Sequence, residues 1–263
     1  MKQKSVGFVG AGNMGSAIVS GIHQDYQVYI TDPDKKKCRN LVREYQVQSL
    51  DLQSLLSQSD IIILAVKPQI FDELLTTLQP FITKKHLVVS IAAGITIDYI
   101  TKRIGTHCRV VRTMPNLPAQ VQFGVTAICA GSHALKKDLG MVKKIFNCVG
   151  TTVVVQEKEM DGITAVSGSG PAYVFFFIEC LMAAARSLGF EQHVAQQLVR
   201  QTLKGSLELL ESAHEDAATL RQRVTSRGGT TQAALDVLHA GQMALVYKNA
   251  IKAARKRAKE LSQ

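Results

Sequence analysis

Short apolar runs and longer amphipathic segments alternate along the chain from residue 6 to about residue 155. The longer segments carry apolar residues at helical spacing, as in Ser16–His23, Asp34–Tyr45 and Phe71–Leu78, and turns of glycine, proline or polar residues close them. The apolar runs are VGFV, VYI, IIILAV, LVVSI, RVVRT, VTAIC and TTVVV. Such alternation is typical of βαβ units. We therefore predict a doubly wound α/β domain with a parallel sheet over residues 1–157.

After about Glu157 the pattern changes to a helical rhythm in which β-branched runs are rare, so we predict an all-helical domain over residues 158–263. One helix is predicted from Pro171 to Leu188, because Pro171 suits a helix N terminus and Gly189 suits the position after its end. This helix is apolar almost all round and must be buried, either inside a domain or against another subunit. We predict an obligate homodimer through the helical domain.

Composition narrows the class of protein. The chain has 263 residues, 46% of them hydrophobic, and a mean hydropathy of +0.07. This length and this apolar content suffice for two domains that each bury a hydrophobic core. Its apolar runs are strand-sized or interrupted, so no membrane span and no membrane partner are expected. The first residues lack the apolar segment and cleavage site of a signal peptide, so a cytoplasmic protein is expected.

The cysteines, the histidines and the charge distribution speak against a disulfide-rich, a metal-binding and a nucleic-acid-binding protein. The five cysteines are scattered and form no C-x-x-C pair, and the histidines form no H-x-x-x-H pair, so we expect neutral thiols, no disulfide framework and no metal. The net charge of +10 is concentrated in KKK at Lys35–Lys37 and in the tail KAARKRAKE, where it indicates a solvated helix face. No nucleic-acid motif accompanies it, so no nucleic-acid partner is expected.

A glycine-rich stretch, GAGNMG, follows the first predicted strand and precedes the first predicted helix. This context is the one that a dinucleotide-binding fingerprint requires. Gly10 permits a tight turn, Gly12 lets a pyrophosphate approach the backbone, and Gly15 lets the helix pack close to the strand. The predicted cofactor-binding residues in this stretch are Gly10, Gly12, Asn13, Met14 and Gly15.

Other predicted cofactor contacts stand where later strands end. Asp32 closes the second strand, the position that contacts the adenine ribose in this fold. Lys67 is a candidate site cation, although it can equally be a surface lysine before a helix-starting proline. Ala92 and Ala93 are small enough to let a flat ring lie close. The predicted residues at these ends are Asp32, Ala65, Val66, Lys67, Pro68, Ala92 and Ala93.

Five motifs in this order, GAGNMG, AVKP, MPN, SGSGPAY and TSRGGTT, make the whole chain resemble pyrroline-5-carboxylate reductase, the last enzyme of proline biosynthesis. The resemblance implies a Rossmann domain, a helical domain interlocked with a second subunit, and assembly into larger rings. It also implies reduction of a cyclic imine, 1-pyrroline-5-carboxylate, by a nicotinamide. The chain departs from the family pattern at Leu52, Arg227 and Gln232, where the family often has Asn, Pro and an aliphatic residue.

The late loop Ser226–Thr231 precedes a helical pattern, and a glycine-rich turn at a helix N terminus binds anions. We predict that it holds the substrate carboxylate through Ser226, Gly228, Gly229, Thr230 and Thr231. Thr231 matches the active-site threonine of the family, so the resemblance implies that it orients the imine nitrogen and relays a proton. Thr231 and Lys67 are the candidate catalytic residues. From the residues alone, the threonines could equally be helix caps.

Two other functions stay open at this point. One is a reductase of the β-hydroxyacid dehydrogenase type, for which Lys204 is the candidate catalytic lysine, and the other is a non-catalytic nucleotide sensor. The choice of cofactor also has two possible interpretations. Asp32 favours the free ribose of NADH, whereas the family commonly uses NADPH, whose phosphate a lysine among Lys35–Lys37 could reach. We predict an enzyme that prefers NADPH and accepts NADH.

Overall fold

The computed structural model describes residues 4–262. Over this range, eight strands form one sheet in the order β3-β2-β1-β4-β5-β6-β7-β8. The strands are β1 (Ser5–Val9), β2 (Gln27–Thr31), β3 (Gln48–Ser49), β4 (Ile61–Leu64), β5 (Leu87–Ser90), β6 (Arg109–Met114), β7 (Gly124–Ala130) and β8 (Gly150–Val154). The predicted doubly wound α/β fold is confirmed.

One pairing differs from the predicted parallel sheet, because β6 and β7 run antiparallel while the other neighbours run parallel. The two strands are joined by a short loop whose only regular element is the 3₁₀ turn Leu117–Val121. A parallel crossover needs a dozen or more residues, usually with a helix, so this loop can only reverse the chain.

Twelve α-helices lie within residues 4–262, and the predicted helix Phe71–Leu78 is found with those bounds. Asp34, predicted as a first helical residue, is instead the N-cap of the second helix, where its carboxylate accepts the Lys36 N–H at 2.9 Å. The helices are α1 (Asn13–Ile22), α2 (Lys35–Tyr45), α3 (Leu52–Gln58), α4 (Phe71–Leu78), α5 (Ile97–Ile104), α6 (Lys136–Asn147), α7 (Met160–Ile163), α8 (Gly170–Ser187), α9 (Gln192–Ser212), α10 (Ala217–Arg223), α11 (Thr230–Ala240) and α12 (Met243–Leu261).

The central strands are buried on both faces, which explains why they read as continuous apolar runs. On β4, Ile61 and Ile63 join one core cluster while Ile62 and Leu64 join the other, as the two-residue period of a strand requires. Helices α1, α2 and α6 contribute to the first cluster, and α3, α4 and α5 contribute to the second. This arrangement leaves the strand ends free to carry the site.

Internal contacts divide the chain into two compact units. The sheet unit extends to Pro171 and also includes the chain from Ala254 onward, and the helical unit is Ala172–Ala253. Within the sheet unit, the hydroxyl of Ser262 donates to the Asp161 carboxylate at 2.9 Å, which holds the end of α12. The predicted boundary after residue 157 stays a prediction, and residues 1–3 and 263 of the predicted domains lie outside the described range.

Among the described residues, one helical stretch of 31 residues, Glu157–Ser187, is long and apolar enough to cross a membrane by length and composition, since its most apolar 18-residue segment has a mean hydropathy of 1.4. The expectation that the apolar runs are strand-sized or interrupted is not met here, because α7 continues into α8 through the π-helical turn Thr164–Gly168. No residue of α8 is buried in the single chain. This helix consequently needs a partner outside its own chain.

Candidate active site

The carboxyl ends of β1 and β4 lie side by side where the strand order reverses. The chain leaves β1 for β2 on one side, while β4 pairs with β1 on the other side. Such a switch point is where ligands bind in open α/β sheets. The Ala65 N–H donates to the Val9 carbonyl at 2.8 Å, and the Ile91 N–H donates to the Leu64 carbonyl at 3.3 Å. The loops after β1, β4 and β5 therefore begin side by side.

The glycine-rich loop has the geometry that each glycine was predicted to provide. Gly10 has φ of +108°, and a side chain there would collide with the Ala65 carbonyl. A Cβ on Gly15 would lie 2.7 Å from the Gly10 carbonyl oxygen, so helix α1 packs directly on the loop. Gly12 faces open space, with nothing within 4 Å of its Cβ position. It is the N-cap of α1 and makes no side-chain cap, which leaves the first-turn N–H groups for an anion.

Asp32 directly follows β2 and is half-buried beside the glycine-rich loop. Its Oδ2 accepts the Ala11 N–H at 2.7 Å, and its Oδ1 accepts the Asp34 N–H at 2.8 Å. The carboxylate thus joins the end of β2 to the loop after β1. The sequence pattern predicted the position of Asp32 but not this bracing role, because Ala11 and Asp32 are 21 residues apart in the chain.

The three lysines after Asp32 differ in their surroundings. Lys37 Nζ lies 3.9 Å from Asp34 Oδ2, so its charge is directed to the start of its own helix. Lys35 and Lys36 are exposed, and neither forms an ion pair within residues 4–262. These two lysines are therefore the ones available to an anionic ligand near β2.

Lys67 lies in the loop after β4 as the N-cap of the 3₁₀ turn Pro68–Ile70. It is exposed, and its ammonium has no hydrogen-bond or ion-pair partner in the described part of the chain. This exposed ammonium is compatible with both interpretations of Lys67, a site cation and a surface lysine. Ala92 is buried and Ala93 is half-buried in the loop after β5, where the Ala92 N–H donates to Ser90 Oγ at 3.3 Å.

Asn116, which was not among the predicted site residues, joins two of the motifs. Its amide nitrogen donates to the Ser167 carbonyl at 3.2 Å, and its amide oxygen accepts the Val125 N–H at 2.9 Å. A Cβ on Gly168 would lie 2.6 Å from Met114 Cε, so the serine-glycine segment packs tightly on the end of β6. The sequence contains both motifs, MPN and SGSG, but neither motif indicates that the other is its contact partner in the fold.

The late loop Ser226–Thr231 belongs to the helical unit and forms a turn closed by a hydrogen bond from the Gly229 N–H to the Ser226 carbonyl at 3.0 Å. Gly228 has φ of +72°, which glycine adopts without strain. Helix α11 begins at Thr230 with Gly229 as its N-cap and no side-chain cap. Thr230 and Thr231 are therefore not the N-cap of this helix. The N–H groups of its first turn and the hydroxyls of the two threonines lie together at its N terminus.

The departures from the family pattern have simple surroundings. Arg227 is exposed in the late loop. Gln232 donates through Nε2 to Asp236 Oδ1 at 2.7 Å, one turn along α11, so its amide is engaged on the surface of its own helix. Leu52, the first residue of α3, packs against the core cluster of the sheet.

The thiols differ strongly in burial. Cys38, Cys108 and Cys129 are buried in the sheet unit, whereas Cys180 is exposed on α8. Burial raises the pKa of the Cys129 thiol to about 11, with a smaller contribution from Glu157, so this thiol stays neutral. Within residues 4–262 no three His, Cys, Asp or Glu side chains are grouped so as to hold a metal ion.

Comparison with known proteins identifies the family. A family model described as pyrroline-5-carboxylate reductase dimerisation matches residues 157–261. The chain is 34% identical to pyrroline-5-carboxylate reductase 2 of Bacillus subtilis (strain 168), over 99% of this chain and 96% of that protein. The chain belongs to the pyrroline-5-carboxylate reductase family. A structure of a pyrroline-5-carboxylate reductase from Coxiella burnetii is 34% identical, with a TM-score of 0.93 and full coverage of both chains.

Membership of the pyrroline-5-carboxylate reductase family confirms the predicted class, an oxidoreductase with a Rossmann-like domain and a helical dimerisation domain. A second family model, NADP oxidoreductase coenzyme F420-dependent, matches residues 5–94. The Plasmodium falciparum pyrroline carboxylate reductase, solved with NADP bound, is 31% identical over 100% of this chain and 99% of that chain, with a TM-score of 0.89. The comparisons do not support the dehydrogenase and sensor alternatives.

The dimerisation match also bears on the uncovered helix α8. The matched range contains all of α8, and self-association of the chain is thereby supported. A second copy of the chain is accordingly a candidate partner for this apolar helix.

Proposed function

We propose that this protein reduces the C=N bond of 1-pyrroline-5-carboxylate to form L-proline. The observation that carries the proposal is the match over full length to pyrroline-5-carboxylate reductases. When bound, the reduced nicotinamide supplies a hydride to the imine carbon, and the ring nitrogen takes up a proton. The protein binds both partners, orients them and excludes water.

The cofactor residues fit a dinucleotide. The open space at Gly12 and the uncapped start of α1 suit a pyrophosphate, and Asn13 and Met14 belong to the same first turn. Small residues in the loops after β4 and β5 would let the flat nicotinamide lie close to the backbone. The proposed contacts there are Ala65, Val66, Lys67, Pro68, Ala92 and Ala93.

The finer proposal on cofactor choice is that the enzyme prefers NADPH and also accepts NADH. Asp32 already accepts two backbone N–H groups, so less of its charge is available to repel a 2′-phosphate. Lys35 and Lys36 are exposed and unpaired within the described range, and they would provide the compensating positive charge. An exposed charge pair contributes about 1 kcal/mol or less, so the preference is modest.

The late loop is the proposed site of the substrate carboxylate. Its glycine turn, the uncapped first turn of α11 and the hydroxyls of Thr230 and Thr231 offer several donors to one anion. Ser226 completes the loop through its backbone turn with Gly229. The Thr231 hydroxyl would bond the imine nitrogen and relay a proton from solvent, while Lys67 would add positive charge near the reacting groups.

For assembly, we propose a homodimer through the helical domain at residues 158–263, with further association into rings. No nucleic-acid or membrane partner is proposed, and the proposed compartment is the cytoplasm. The net charge of +10 suits the anionic substrate and cofactor of this reaction.

The test is a direct assay with purified protein, the imine and reduced cofactor. We expect oxidation of NADPH, followed by its absorbance, to depend on the imine and to yield proline in equal amount. NADH should support a lower kcat/KM. If neither cofactor is oxidised by a protein that is folded and dimeric, the proposed activity is wrong.

A further inference from the structure

A hollow of about 330 Å³ lies at the edge of the sheet opposite the cofactor loops. It is formed where β1, β4, β5 and β6 begin, beside the first turn of α6. These four strands are adjacent and parallel, so their N-terminal ends meet at one edge. Strands of this length separate the hollow from the glycine-rich loop by roughly 13 Å or more. The hollow is therefore distinct from the proposed active site.

The wall of the hollow carries four cations and one carboxylate, namely Lys4, Lys85, Arg109, Lys137 and Asp60. The carboxylate is largely engaged. Its Oδ2 accepts both the N–H and the hydroxyl of Ser5 at 3.2 Å, and its Oδ1 lies 4.0 Å from Lys4 Nζ. Positive charge on the wall is consequently in excess.

Arg109 is held in place rather than free to move into solvent. Its Nη1 donates to Asp138 Oδ1 at 2.7 Å, and its Nη2 donates to the Lys85 carbonyl at 2.5 Å. Asp138 is fully buried and also accepts the Leu135 N–H, so its charge lies behind the wall. The Arg109 side chain keeps 20% of its surface exposed, and its buried Nε has no hydrogen-bond partner. Each Nη keeps one further N–H beyond these two bonds, so the exposed part of the positioned guanidinium can donate to a nearby anion.

We propose that this hollow binds a small multivalent oxyanion. The ammonium groups of Lys85 and Lys137 and the exposed part of the Arg109 guanidinium would face its charged oxygens. Ile61, Leu87 and Met141 also line the hollow and would contact an apolar portion of the ligand. The chemical class is a small metabolite with a phosphate group or with two or more carboxylates.

Neighbouring chemistry supports a positive potential at this edge. The pKa of His86, one residue before β5, is lowered by its burial and then by the charges of Lys85 and Arg109. Mutual repulsion of the cations weakens as soon as an anion binds among them. The volume corresponds to roughly ten water molecules, which excludes a large ligand such as a dinucleotide.

The test measures pyrophosphate binding to the full-length protein by isothermal titration calorimetry, with NADPH at saturation so that the cofactor site is filled. A second titration without NADPH shows whether that site contributes. We expect one binding event that persists with NADPH present. The double variant Lys85→Gln/Lys137→Gln should weaken it by about tenfold or more, because two charge-assisted contacts are lost.

The matched control is Lys143→Gln/Lys144→Gln, which removes the same charge from exposed positions on α6 outside the hollow. It should change the affinity by less than about twofold. Equal weakening in both variants would mean a general effect of net charge and would overturn the proposal, as would no binding with NADPH present. A titration with citrate in place of pyrophosphate distinguishes the two ligand types: binding of citrate indicates a site for polyanions in general, and its absence a site for phosphate groups. Turnover is not measured, so failure of the proposed activity is a separate result.

Discussion

The two units of this protein bury their apolar side chains in different ways. In the sheet unit, β4 is fully buried, and two clusters on opposite faces of the sheet are covered by helices of the same chain. In the helical unit, α8 has no buried residue, and Phe176 is 66% exposed. The sheet unit therefore has a core of its own, whereas the helical unit has apolar surface that its own chain leaves uncovered.

The largest expected effect tests the core of the sheet unit. Phe71 on α4 is fully buried, so Phe71→Ala should lower the free energy of unfolding by about 3–5 kcal/mol through lost burial and a residual cavity. Chemical denaturation at several protein concentrations measures it. Phe123→Ala is the control, since Phe123 in the same unit is 85% exposed and should cost less than about 0.5 kcal/mol. Equal losses would remove the distinction between core and surface.

The next effect concerns the uncovered helix. Phe176→Glu should weaken the dimer by about a hundredfold or more, because it places a charge in an apolar interface in both copies. Light scattering over a dilution series would show the mass falling towards that of one chain. The control Glu211→Gln changes an exposed charge near the end of α9 and should leave the dimer intact. A Phe176→Glu protein that stays dimeric at nanomolar concentration would place the interface elsewhere.

The next prediction compares the late loop, proposed to bind the substrate, with the loops proposed to bind the cofactor. Thr231→Ala should lower kcat by roughly ten- to a thousandfold, the range for loss of a positioned hydrogen bond or proton relay. The KM for the reduced cofactor should hardly change. Steady-state kinetics measures both constants, and Thr219→Ala, at an exposed position on α10, is the control. Wild-type kinetics in Thr231→Ala would exclude the threonine from the reaction.

The complementary change at the sheet edge should be smaller. Asp32→Ser removes the repulsion of a 2′-phosphate and keeps one acceptor for the Ala11 N–H, so the KM for NADPH should fall and that for NADH should rise, each by several-fold. The KM for the imine should stay constant. If neither cofactor constant moves, Asp32 only braces the loop and does not face the ribose.

The smallest effect compares two thiols. The Cys129 pKa of about 11 means that roughly one thiol in a thousand is ionised at pH 8, and the residue is also buried. Iodoacetamide should leave Cys129 unmodified in the native protein, whereas Cys180 should react once the dimer has been separated by Phe176→Glu. Peptide mass spectrometry detects both products. Early modification of Cys129 would show that the sheet unit opens locally.

Much of the candidate site was predictable because it depends on local pattern. A buried strand followed by a helix predicts a loop at the carboxyl edge, and this rule placed Gly10–Gly15 and Ala65–Pro68 side by side. Phe71–Leu78 was predicted from apolar spacing alone and is found unchanged. The bracing bonds of Asp32 and Asn116 were not predictable, since each joins segments whose separation in the chain carries no local signal.

By itself, the sequence determined seven of the eight strands, the helix Phe71–Leu78, the glycine turns and the family motifs, because periodicity, φ preference and capping act over a few residues. The two-residue strand β3 was not predicted, since its exposed residues form no apolar run. Only the tertiary structure decided the antiparallel pairing of β6 with β7, the continuity of the helix from Glu157 to Ser187, and the cluster of cations at the N-terminal edge. These features arise where distant segments meet or where a helix continues through residues that usually end one. The contacts that stabilise these features join distant parts of the chain, so no short stretch of sequence contains them.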